Sequence, residues 1–135
     1  MENENLQKEM FRPKVVELAA KFYWIALAVG IIKTTFFARA ALTKNPFIFV
    51  IIYAGVFAVM WFLMREVQRG YNAVRILLLV LFVIGLPSYY SLMRKEFTDS
   101  ILLASMSVLQ LLLQLTTIIL LFSPQANVWF KSKRR

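Results

Sequence analysis

The 135-residue chain contains no cysteine and no histidine. Without cysteine there is no disulfide, no thiol nucleophile and no thiolate metal site. Without histidine the commonest metal ligand and the commonest general base are gone. Acidic residues are scarce, seven Asp and Glu against sixteen Lys and Arg. All of them except Glu17 fall in the polar tail or in connectors between apolar runs, and none are paired at a spacing useful for acid–base work. No glycine-rich phosphate loop, HExxH helix or catalytic triad is present. These absences predict a protein that is not an enzyme, with no catalytic, cofactor-binding or metal-binding residues.

What the chain has is hydrophobic residues, 60% of the total. In a soluble fold that share leaves too little polar surface to cover the outside. The clearest apolar run is Ile101 to Phe122, 22 residues without a formal charge. As a helix it reaches about 33 Å, enough to cross a hydrocarbon layer of about 30 Å. Three further runs precede it. The predicted spans are 15–37, 46–64, 74–93 and 101–122, with a short interfacial helix over 124–131. The fold class expected is all-α, a four-helix transmembrane bundle with short loops in a single membrane domain, residues 1–135.

Local signals mark the boundaries. Met1–Arg12 is polar and mixed in charge, without the apolar core of a secretory signal, and reads as a frayed, weakly amphipathic helix. Asn45–Pro46 initiates the second span and Gly70 suits the position just past a helix end. Gly85 and Pro87 interrupt the third span, where a kink or an early exit is expected, followed by an outer connector, Arg94–Ser100. Ser123–Pro124 reads as an N-cap with proline at N1, starting the short last helix. Tyr23, Trp24, Trp61, Tyr89, Tyr90 and Trp129 read mostly as interfacial belt residues, and Trp129 and Phe130 as surface anchors.

The formal net charge of +9 would suggest nucleic acid in a soluble domain. Here the basic residues sit between apolar runs, which points to topology and anionic lipid headgroups rather than nucleic acid. Lys8, Arg12, Lys14, Lys21, Arg65, Arg69, Arg75, Lys131, Lys133, Arg134 and Arg135 share one side of a four-span chain. Arg39, Lys44, Arg94 and Lys95 share the other. Eleven against four predicts both termini in the cytoplasm. Arg69, Arg75, Lys131, Lys133, Arg134 and Arg135 are the candidate headgroup contacts, Arg75 by snorkelling from the inner edge of its span.

Two features inside the spans stand out. Ser107, Gln110, Gln114 and Thr117 are spaced 3, 4 and 3, on one face of the last span. Such a face seeks hydrogen-bond partners, within the bundle, along a polar path or at an oligomer interface. Lys33 is a charge within the first span, on a face with Ala26, Gly30, Thr34 and Phe37. Either it donates to Gln110 or Gln114, or it snorkels to the outer headgroups, because no carboxylate is expected within reach.

Three stretches carry a family likeness: RPKVVELAAKFYWIALAVGIIK, RGYNAVRILLLVLFVIGL and LLFSPQANVWFKSK. An Arg-Gly-x-Asn-x-x-Arg motif leads into an apolar span, and an apolar helix closes in Phe-Ser-Pro followed by Trp-Phe-Lys. The chain resembles a group of small, uncharacterised four-helix proteins of the bacterial inner membrane. It departs from their pattern at Ala73, where an aromatic residue is usual. The resemblance implies fold and location and carries over no functional residues.

The function expected is therefore that of an accessory or regulatory membrane subunit, acting through helix–helix contacts. Its partners would be the lipid bilayer, and a second copy of itself or another membrane protein. One alternative is a small homo-oligomeric channel or transporter for a polar or anionic solute, with Lys33, Gln110 and Gln114 lining the path. Another is an immunity-type protein against a membrane-acting toxin.

Overall fold

The computed structural model describes residues 12–37 and 46–133. They form five helices and, among the described residues, no strand. α1 covers Lys14–Phe37, α2 Pro46–Gln68, α3 Asn72–Asp99, α4 Ile101–Leu121 and α5 Pro124–Ser132. The first four are each long and apolar enough to cross a membrane. Of the N-terminal tail only Arg12 is described, and Arg39, Lys44, Arg134 and Arg135 lie outside the described residues.

The four long helices form a bundle in which α1 packs on α2 and α4, and α3 packs on α2 and α4. Neighbours run antiparallel. Thr117 of α4 reaches the carbonyl of Ala19 near the start of α1, while Ser107 meets Lys33 near its end. The closest packing is between α1 and α4, and the sequence shows why. α1 turns Ala19, Ala20, Ala26 and Gly30 inward, and α4 answers with Ala104, Ser107 and Thr117. Small side chains let the backbones approach, which is what drives association where lipid is as apolar as leucine. A β-carbon on Gly30 would lie only 2.9 Å from the Gln110 amide nitrogen.

The larger core residues gather at one end. Val16, Met64, Val67, Leu121 and Phe130 are fully buried there, with Leu63, Leu78 and Trp129 nearly so. The turn between α2 and α3 belongs to this end. Gly70 has φ +96°, its N–H bonds to the Val67 carbonyl, and the N–H of Tyr71 bonds to that of Glu66. This paired closure needs a left-handed residue, which glycine supplies without steric cost. α5 starts where Ser123 and Pro124 indicate, with Ser123 Oγ accepting from the Ala126 N–H. It folds back beneath the bundle, so Trp129 is 5% exposed and Phe130 fully buried, and neither is the surface anchor expected.

α3 corrects a second expectation. It does not end near Met93 or exit at Pro87, but runs 28 residues to Asp99. Only Ser100, in an extended conformation, separates it from α4. Leaving the helix inside hydrocarbon would strand several backbone groups at several kcal/mol each, whereas Pro87 removes a single hydrogen bond. The supposed connector from Arg94 is thus helical. It carries Glu96 on the same inward face as Tyr89, two turns earlier.

α2 differs from its neighbours. Its buried side chains, Leu63, Met64, Glu66 and Val67, all lie in the last two turns. From Pro46 to Phe62 none is buried.

Candidate functional site

One group of polar side chains inside the bundle gathers at the end opposite α5. Lys33 Nζ lies 2.5 Å from Glu96 Oε1, and the two side chains are only 13% and 9% exposed. Ser107 completes the group: its hydroxyl accepts from Lys33 and donates to Glu96 Oε2. Both carboxylate oxygens are therefore engaged. The Tyr89 hydroxyl donates to the Ser107 carbonyl at 2.5 Å, and the Tyr89 ring stands 5.9 Å from the Lys33 ammonium. Ser107 is six residues into α4, about 9 Å below its first residue. Three helices thus meet through one ion pair and the serine between its partners.

Lys33 consequently neither bonds to Gln110 or Gln114 nor points out to the headgroups. Its partner is Glu96, a carboxylate in a stretch whose composition reads as a connector. The signal that would have found it is hairpin geometry. With Ser100 alone as the turn, residues equally far from it on either side lie side by side, which sets Glu96 beside Ala104, one helical turn from Ser107.

Of the polar face on α4, Ser107 and Thr117 are each 1% exposed. Thr117 Oγ1 donates to the Leu113 carbonyl at 2.9 Å and faces that of Ala19 at 3.4 Å. Gln110 and Gln114 are half-buried, and among the described residues neither amide has a hydrogen-bond partner. Ser105 and Thr116 need no neighbour, because each bonds at 2.8 Å to a carbonyl four residues back in α4.

Beside this face lies a cavity of about 220 Å³. All four long helices contribute to its wall, including Tyr23, Met60, Phe82, Tyr89 and Gln114. Met60 is the one α2 residue in that wall. Tyr23 and Tyr89 are thus interior residues rather than belt residues. The Tyr23 hydroxyl donates to the Met60 carbonyl at 3.1 Å and fastens α1 to α2.

At the α5 end, Arg75 departs from the headgroup role expected of it. It is 7% exposed. Its guanidinium donates to the Leu121 carbonyl at 3.0 Å and lies over the rings of Phe122 and Phe130, 4.8 and 4.5 Å from their centroids. An orphan carbonyl at a helix C-terminus and two aromatic faces suit a planar cation. The fold-back of α5 creates this pocket. Arg69 pairs with Glu66 at 2.5 Å while its side chain stays 53% exposed. Lys131 and Lys133 are exposed.

Fold and site together define a multi-pass membrane protein, a four-helix bundle fastened internally by an ion pair at one end and an arginine at the other. No family model, curated protein or solved structure matches the chain.

Proposed function

We propose that the protein is a non-enzymatic accessory or regulatory subunit of the bacterial inner membrane. Both termini face the cytoplasm, and it acts by helix–helix contact with a second copy or another membrane protein. The observation that carries this reading is the asymmetry of α2. α3 and α4 bury side chains near both ends, and α1 buries them from Val16 to Ala26, but α2 buries them only in its last two turns. Over Pro46–Phe62 it offers a helix face to the bilayer with Ala54, Gly55 and Ala58 exposed together. Small residues at this spacing favour close packing of a further helix. The engagement of Lys33 by Glu96 and Ser107 favours this over a polar pore, which would need that ammonium free.

The test uses the absence of native cysteine. Ala54→Cys and Ala58→Cys, oxidised in native membranes, should each give a disulfide-linked homodimer, or a linked heterodimer when a partner carries an accessible cysteine. Co-purification in nanodiscs followed by mass spectrometry should recover the same assembly. A lone monomer in both experiments would defeat the proposal.

A further inference from the structure

The cavity beside α4 has chemistry of its own. Its volume, about 220 Å³, exceeds that of an engineered apolar cavity of about 150 Å³ that holds benzene. No charged side chain lines it. Most of its polar groups are already committed. The Tyr23 hydroxyl serves Met60, the Tyr89 hydroxyl serves Ser107, and Thr117 serves Leu113. Gln114 is the exception, an amide with two donors and an acceptor and no protein partner among the described residues. An unpartnered amide in hydrocarbon costs several kcal/mol, so a ligand that meets it gains what the protein leaves unmade.

Depth narrows the ligand. Gln114 lies seven residues before Leu121, about 10 Å in from the end of α4. A headgroup charge is therefore poorly placed to enter, and a molecule already dissolved in the bilayer is well placed. A side entrance is present. Gly85 lines the cavity, a β-carbon there would meet open space, and every residue of α3 from Val83 to Ser88 is exposed. The aromatic rings of Tyr23, Phe82 and Tyr89 in the wall suit a flat guest.

We propose that this cavity binds an uncharged, lipid-soluble ring that carries a carbonyl or hydroxyl oxygen, of the benzoquinone or phenol type. The ring enters from the bilayer past Gly85, and Gln114 donates to its oxygen. The site is one of binding, with no redox step. It goes beyond the accessory-subunit reading and does not depend on α2 finding a partner.

The test is titration of the full-length protein in nanodiscs with a short-tailed benzoquinone, followed by native mass spectrometry and thermal stability. Saturable binding at one per chain is expected. Gln114→Leu should weaken it roughly 5- to 10-fold, the worth of one hydrogen bond. Gly85→Leu should block entry while leaving the unliganded melting temperature near wild type, since a β-carbon there meets open space. An alkylbenzene of equal size without oxygen should bind more weakly to the wild type, and equally to Gln114→Leu. Non-saturable uptake unaffected by either substitution would show partition into lipid and overturn the proposal. Equal binding of the alkylbenzene and the quinone would show an acyl-chain site, or a Gln114 satisfied by water, and would also overturn it.

Discussion

Removing one member of the Lys33–Glu96 pair should cost far more than removing both. At 2.5 Å, and with an effective dielectric of about 20, the attraction is about 7 kcal/mol. Side-chain exposures of 13% and 9% leave little solvent to screen it. Against it stands the desolvation of two ions, several kcal/mol each, so the pair as a whole contributes close to nothing. A lone ion keeps its desolvation and loses the attraction. Lys33→Met should therefore destabilise the bundle by about 3–5 kcal/mol. Glu96→Leu should cost a similar amount, because it leaves the Lys33 ammonium buried without its carboxylate. The double variant, Lys33→Met with Glu96→Leu, should lie within about 1 kcal/mol of wild type or above it. Reversible unfolding of each in bicelles by denaturing-detergent titration gives the cycle. Single losses below about 1 kcal/mol that simply add in the double variant would refute a buried, coupled pair.

Other consequences follow from the same geometry. Ser107→Ala leaves Glu96 Oε2 without its hydroxyl donor and should cost about 1–3 kcal/mol in the same unfolding assay. Gly30→Ala should be mild, since its β-carbon meets the movable end of Gln110, and Gln110→Ala should relieve what penalty there is. Gly30→Leu should separate α1 from α4 at a cost of about 1–3 kcal/mol. Arg75→Lys should not substitute for arginine, because a compact ammonium cannot cover two rings and a carbonyl together. Faster protease cleavage between α4 and α5 would report the loss. Gly70→Ala imposes a β-carbon at φ +96°, 2.9 Å from Lys133 Cγ, and should lower stability by about 1–2 kcal/mol, read as a fall in melting temperature.

The helices themselves were legible because length and charge-free composition identify a span without reference to its neighbours. Ser123–Pro124 and Gly70 were legible for a similar reason, since cap and turn chemistry is local. What the residues concealed was register. Glu96 sits in a polar heptapeptide after a proline, RKEFTDS, so its composition reads as a connector. The cost of unpaired backbone in hydrocarbon keeps it helical, and the one-residue turn at Ser100 then places it on Ser107 and Lys33. Arg75 is concealed in the same way. Its position beside a connector suggests snorkelling, but the returning α5 brings Phe130 over it, a contact made between residues 55 apart in sequence. The four-residue polar face on α4 was visible as a face. Its division into bonded Ser107 and Thr117 and unbonded Gln110 and Gln114 depends on what α1 and α3 place opposite each residue, which no local pattern encodes.

The intramembrane pair is tested most directly by a solid-state NMR distance in lipid bilayers between ¹⁵N at Lys33 Nζ and ¹³C at the Glu96 carboxyl. A dipolar coupling that places them within about 4 Å is the predicted result. No measurable coupling, with the Lys33 ammonium exchanging with water as an exposed lysine does, would contradict it.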